Sequence, residues 1–216
     1  MDLITQLGHI FYPKSIAVVG ASINPEKPGY LCLTSILDGG FRGRVYPVNP
    51  SLSEAFGLKV FPSIKAIPVE VDIALIVVPA PAAVSAVADC AAKGVKGAIL
   101  VTSGFKEVGT ATGVDLEARL WEIARGNDLQ IIGPNTLGLL NPSINLNATF
   151  EASLGSIKAG GVAVVTQSGG MCHFIVQALS NHNVGVSKAL CLGNRCGLDF
   201  DGVLGYLAED EETRVI

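Results

Sequence analysis

Ser15-Ile16-Ala17-Val18-Val19-Gly20-Ala21-Ser22 stands near the start of a 216-residue chain, and Val164-Val165-Thr166-Gln167-Ser168-Gly169-Gly170 well past its middle. In each, an apolar β-run breaks into a small, hydroxyl-bearing turn followed by a helix-like stretch. Such a turn points backbone N–H groups and a helix N-terminus at whatever sits above the strand end, which suits phosphate. Two such cradles imply a phosphate-rich ligand in one half and a phosphate or carboxylate in the other.

Working outward from the first cradle, the spacing predicts a short amphipathic helix over Leu3–Phe11, stopped by Pro13, and a strand over Ser15–Val19. A helix is expected over Gly29–Leu37, a strand over Val45–Val48, and a small extended piece at Leu58–Phe61. Ile73–Val78 is a continuous apolar strand of the kind found in parallel sheets covered on both faces. Helix Ala82–Ala92, strand Gly97–Val101, helix Val114–Arg125 and strand Leu129–Ile132 complete an alternating pattern that reads as a doubly wound α/β fold.

The stretch from Leu139 to Gly161 is rich in Asn, Ser, Gly and Pro and reads as a linker that carries an edge strand at the short alternating piece Ile144–Phe150. A second α/β unit follows: strand Val162–Val165, helix Gly170–Leu179, strand Ser187–Leu190, helix Phe200–Ala208 and strand Thr213–Ile216. The expected domains are 1–145 and 161–216, joined by a linker over 146–160. A terminal parallel strand with no crossover helix after it marks the second unit as incomplete, to be finished elsewhere.

Composition narrows the function. Charged residues are 16% of the chain against roughly 25% in ordinary soluble domains, and mean hydropathy is +0.47. So lightly charged a chain is expected to hide surface in a subunit or domain interface, hence an oligomer. The net charge of −4, without a Lys/Arg cluster, excludes nucleic acid as main partner. The longest apolar tract, Val71–Ala92, carries Asp72 and Asp89 and is broken by Pro79 and Pro81, so it is no membrane span. Five scattered cysteines without a C-x-x-C, and no secretory signal in the first residues, point to a cytoplasmic protein with reduced thiols and no metal.

For the first cradle a nicotinamide dinucleotide is the obvious candidate. The G-x-G-x-x-G fingerprint needs its second Gly for close approach to pyrophosphate and its third for helix–strand packing. From Gly20 the chain reads Gly-Ala-Ser-Ile-Asn-Pro, and strand two ends in Val48-Asn49-Pro50 without the acidic residue that holds a ribose. Ser22 and Asn24 either offer hydrogen bonds to a ligand or cap the following helix. The other strand ends, Val78-Pro79-Ala80-Pro81, Thr102-Ser103-Gly104-Phe105 and Gly133-Pro134-Asn135, are small, rigid or hydrogen-bonding and carry no charged catalytic group. Such a rim binds a long ligand by shape and backbone contacts.

These segments, with Tyr46-Pro47-Val48-Asn49-Pro50, Gln167-Ser168-Gly169 and Leu192-Gly193-Asn194, resemble the CoA-binding region of the succinyl-CoA synthetase α-subunit and of the NDP-forming acyl-CoA synthetases. The resemblance covers nearly the whole chain. It implies a Rossmann-like CoA-binding domain followed by a flavodoxin-like domain, and a ligase that converts acyl-CoA, phosphate and ADP to acid, CoA and ATP. The route runs through an acyl phosphate and a phosphohistidine. It further implies that Gly20, Ser22, Ile23, Asn24, Pro25 and Asn49 contact CoA, and that Pro79, Ala80, Ser103, Gly104, Phe105 and Asn135 line its course. Gln167, Ser168, Gly169 and Gly170 would hold phosphate, and an ATP-grasp-type subunit or domain would supply the nucleotide site.

Three departures matter. Ser51-Leu52 stands where members often have a Lys near the adenosine end. Arg195-Cys196-Gly197 stands where a small acidic run is common. The phosphorylated His of the family falls beyond Ile216, and none of His9, His173 and His182 reads as its substitute, so no catalytic residue is assigned. The alternative function is a CoA-binding regulatory module of an acetyltransferase-like multidomain protein. For the second cradle the alternative is a plain β–α turn with Ser168 as helix N-cap.

Overall fold

The computed structural model describes residues 2–216. Helix α1 (Leu3–Phe11) starts where the Asp2 carboxylate accepts the Thr5 N–H, and it buries Leu7, Ile10 and Phe11. β1 (Ser15–Val19) is buried along its whole length. Helix α2 (Pro28–Asp38) leads to β2 (Arg44–Val48), and a small antiparallel ribbon of β3 (Glu54–Ala55) and β4 (Leu58–Lys59) replaces the single extended piece expected there. β5 (Ile73–Ile76), α3 (Ala80–Lys93), β6 (Gly97–Leu100), α4 (Ala111–Arg125) and β7 (Gln130–Ile132) follow.

The first sheet is wholly parallel, in the order β2-β1-β5-β6-β7. The chain winds outward from β1 to β2 and then returns to the other side of β1 with β5. The order therefore reverses between β1 and β5, and a crevice opens above their carboxyl ends.

The expected linker is largely sheet. β8 (Gly138–Asn141) and β9 (Leu146–Thr149) form a buried antiparallel hairpin, and residues 152–156 make a short 3₁₀ turn. They join β10 (Ala159–Thr166) and β11 (Val186–Cys191) in a second, mixed sheet ordered β10-β11-β8-β9. The high Asn and Ser content disguised the hairpin, because those polar side chains are satisfied internally. Asn141 donates to the Phe11 carbonyl, and Thr149 donates to Asn147. Helices α5 (Gly169–Asn181) and α6 (Phe200–Glu209) complete the second unit. The expected terminal strand is reduced to one parallel bridge, Val215 to Val162, because only the Arg214 and Val215 N–H groups and the Val215 carbonyl meet the β10 backbone.

Five layers result. α3 and α4 cover one face of the first sheet around Val87, Leu116 and Leu120. On its other face, one continuous core takes in Leu7 and Phe11 of α1, Ile16 and Val18 of β1, Leu139 and Ala148 of the second sheet, and Val203 and Leu207 of α6. α5 closes the far side with Cys172 and Val176. The two units thus share their largest core. Phe11 stacks on Tyr206 with centroids 4.9 Å apart. Nearby, the ammonium of buried Lys188 meets Asp210 at 2.7 Å, Glu212 at 3.2 Å and the Tyr12 hydroxyl at 2.9 Å.

Candidate functional site

A groove of about 410 Å³ lies above the switch point, lined by Lys27, Pro28, Val77, Val78, Pro79, Val101, Thr102 and Ser103. Its walls are the segments that leave β1, β5 and β6, all at the carboxyl end of the sheet. Gly20 starts the first of these with φ +96°, and a side chain there would lie 2.9 Å from the Val78 methyl group. The Gly20 and Ala21 N–H groups both donate to the Val48 carbonyl. Asn49 donates from Nδ2 to the Ala21 carbonyl at 2.8 Å while accepting the Ser51 N–H, so it props the loop.

Ser22 and Asn24 do not cap α2. The Ser22 hydroxyl accepts the Asn24 N–H, the Asn24 side chain accepts the Glu26 N–H, and Lys27 is the N-cap residue without a side-chain cap bond. These two small turns fold residues 22–27 into an open loop longer than the dinucleotide fingerprint allows. None of the loop's hydrogen bonds uses the N–H of Ser22 or Ile23. With the Gly29 N–H, they are donors for an anion at the helix end; Pro28 has no N–H, and Tyr30 and Leu31 donate to the Lys27 carbonyl.

The function of the missing third glycine is performed farther along. At Gly29 a methyl group would lie 2.9 Å from the Gly20 carbonyl carbon and closer still to its oxygen, so α2 packs directly on the β1 turn. Sequence reading missed this because the loop insertion breaks the G-x-G-x-x-G spacing. Lys27, the cation of the groove, escapes that reading too, because the resemblance places a lysine after Pro50. The signal was a Lys immediately before the Pro28-Gly29 helix start.

The remaining expected residues are divided between two sites. Pro79 is exposed at the groove and Ala80 begins α3 behind it. Ser103 lines the lip, whereas the Phe105 side chain is fully buried beneath it and cannot line a ligand. Gly104 and Phe105 donate their N–H groups to Glu107 Oε1 at 2.6 and 3.2 Å. Asn135 lines the second cradle instead of the groove. Pro25 and Ile23 are exposed on the loop.

That second cradle is a pocket of about 360 Å³ formed by Val101, Asn135, Thr136, Leu137, Phe150, Gln167, Ser168, Gly169 and Gly170. Ser168 is the N-cap of α5: its hydroxyl accepts the Met171 N–H and its carbonyl the Cys172 N–H. Gly169 and Gly170 open α5 and line the pocket, where first-turn N–H groups without an intrahelical acceptor and the helix dipole favour an anion. Gln167 Nε2 donates to the Gly193 carbonyl at 3.0 Å and stiffens the floor. Val101 belongs to both the groove and the cradle, which therefore abut across one side chain.

His173 stands one turn into α5 with Nδ1 3.9 Å from a Glu151 carboxylate oxygen. Three of the thiols are poor nucleophiles: burial pushes Cys32, Cys90 and Cys196 up to about 12. Among the described residues no helix is long and apolar enough to cross a membrane.

The sequence profile of the CoA binding domain matches residues 14–142, the whole of the first sheet and the first hairpin strand. The chain belongs to the CoA binding domain family. The ligand of the family is coenzyme A, as the sequence led one to expect, and the open loop, Lys27 and free N–H groups suit its phosphates. Residues 159–216 match the succinyl-CoA ligase like flavodoxin domain. Acetate--CoA ligase [ADP-forming] of Methanocaldococcus jannaschii is 40% identical over 211 residues, 98% of this chain and 29% of that protein. Acetate--CoA ligase [ADP-forming] II subunit alpha of Pyrococcus furiosus is 41% identical over 97% of this chain and 45% of its own length.

The dinucleotide forming acetyl-coenzyme A synthetase 1 of Ca. Korarchaeum cryptofilum, solved with phosphate and ADP, superposes with a TM-score of 0.91 at 38% identity. The match covers 97% of this chain and 44% of that one. This chain thus spans less than half the length of these relatives. The acetyltransferase-module alternative draws no support from them.

Proposed function

We propose that this CoA-binding chain works as part of an ADP-forming acyl-CoA ligase, holding acyl-CoA in the groove and phosphate in the adjoining cradle. The observation that carries the reading is the common Val101 wall: the two anion sites meet at the carboxyl ends of two separate sheets. The loop N–H groups of Ser22 and Ile23, with Lys27, hold the CoA phosphates at the α2 N-terminus. Pro79, Thr102 and Ser103 guide the pantetheine arm toward Val101. The Gly169 and Gly170 N–H groups and the Ser168 hydroxyl keep phosphate beside the thioester end. Phosphate, the second substrate, attacks the thioester carbonyl there, and the CoA thiolate leaves. No side chain of this chain is assigned to phosphoryl transfer. That step belongs to a histidine and an ATP-grasp-type nucleotide site on another segment or subunit, with which this chain associates in the cytoplasm.

Titration calorimetry of the chain with CoA, NAD and phosphate tests the reading. CoA binding, phosphate binding that is weakened in Ser168→Ala, and no response to NAD are expected. NAD binding with no response to CoA would overturn it.

A further inference from the structure

The groove's lip depends on a residue of the second unit. Gly104 and Phe105 of the lip donate to Glu107 Oε1, and the carboxylate's other oxygen accepts Asn194 Nδ2 at 2.5 Å. The same amide nitrogen donates to Glu117 Oε2 at 2.8 Å, and Glu117 Oε1 pairs with Lys106 Nζ at 2.7 Å. Asn194 is buried and is the group that reaches both carboxylates. Its backbone N–H donates to the Pro134 carbonyl, and its neighbour Gly193 exchanges hydrogen bonds with Gln167 of the phosphate cradle.

We infer that Glu107 and Asn194 are positioning residues for coenzyme A: Asn194, carried on the loop after β11, holds the Glu107 carboxylate, which in turn fixes the Ser103–Phe105 lip of the groove. The inference rests on the groove being the CoA site. Its chemistry is specific. An ionised carboxylate accepts four hydrogen bonds at most conveniently placed lone pairs, so one oxygen can serve both lip N–H groups while the other is tethered. Asn is required opposite it, because an Asp at 194 would bring a third carboxylate against Glu107 and Glu117 with nothing to donate. Burial disfavours the charged Glu107, but the hydrogen bonds from Asn194, Gly104 and Phe105 outweigh it and hold its carboxyl below the usual range. The relay Gln167–Gly193–Asn194–Glu107–Gly104 also joins the cradle to the groove, so the lip is set by the docking of the second unit.

The test compares Glu107→Ala, Glu107→Gln and Asn194→Asp by CoA calorimetry, melting temperature and amide hydrogen exchange at Gly104 and Phe105. Loss of one charge-assisted bond weakens CoA by about tenfold in Glu107→Ala and in Asn194→Asp. Glu107→Gln falls between the parent and Glu107→Ala, since its amide oxygen still accepts both lip N–H groups while its NH2 opposes Asn194 Nδ2 and breaks the tether. Exchange at Gly104 and Phe105 accelerates in Glu107→Ala and Asn194→Asp, while phosphate binding persists. Lower melting temperatures with unchanged CoA affinity and unchanged exchange at those two amides would show a merely structural cluster and overturn the inference. If the unsubstituted chain binds no CoA, the groove assignment fails, and exchange at the lip still decides whether Asn194 holds it.

Discussion

Gly29→Ala is the most informative single substitution. In an ordinary helix position the change would stabilise by up to about 1 kcal/mol through helix propensity. Here the new methyl group would lie 2.9 Å from the Gly20 carbonyl carbon and closer to its oxygen, against an ordinary contact of about 3.5 Å or more. Neither partner can yield cheaply. The Gly20 N–H is tied to Val48, and α2 is held by Cys32, Leu33 and Ile36 in the shared core. Helix or turn must shift by roughly 1 Å, and overpacking of this kind costs about 1–3 kcal/mol. The net expectation is a loss of about 1–3 kcal/mol in urea unfolding. The same shift displaces Lys27 and the 22–27 loop, so CoA affinity should fall by at least about tenfold in the folded protein. Gly8→Ala in α1 is the control: a methyl group there meets nothing within 4 Å, and it should stabilise slightly. A Gly29→Ala protein as stable as the parent with the same CoA affinity would refute the packing argument.

Lys27→Ala should weaken CoA by about three- to tenfold without altering the melting temperature, and the loss should shrink as salt rises, because an exposed cation acts through a screened charge. Ser168→Ala should cost about 1 kcal/mol of stability through the lost N-cap and weaken sulfate or phosphate binding measured by calorimetry. Lys188 gives a pH dependence: burial alone would lower its pKa, but the bonds to Asp210, Tyr12 and Glu212 prevail and raise it from 10.5 to about 12. A raised folded pKa adds stability that is complete below 10.5 and vanishes as pH climbs through about 12, so melting temperature should fall over that window and fall less steeply in Lys188→Met. Cys32 and Cys90, with thiols pushed up to about 12 by burial, should resist alkylation at pH 8 until the protein unfolds; rapid native labelling would contradict their burial.

Much of the fold was legible because its signals are local. Runs such as Ile73-Ala74-Leu75-Ile76 sit in a sheet buried on both faces, where every residue must be apolar, and Pro13, Gly39 and Gly94 punctuate the helices. The Leu3–Phe11 helix and the Ser15–Val19 strand fall on the expected residues. The two cradles were visible for the same reason: strand, small turn and helix are contiguous in sequence, and Gln167–Gly170 form one wall of one pocket.

The tertiary structure decided what depends on partners distant in sequence. The β8–β9 hairpin was hidden because Asn141 and Asn147 look like loop residues until Phe11 and Glu151 supply their acceptors. Gly29 acquires its role from Gly20 across a loop, Phe105 becomes core because the lip turns it under, and Asn135 lines the second cradle because Val101 stands between the two pockets. The contact of Asn194 with Glu107 joins residues 87 apart. Periodicity records which residues are buried along one element. It carries no information about which buried or polar group meets which across elements, and that pairing, set by packing two sheets around one core, is what places the groove beside the cradle.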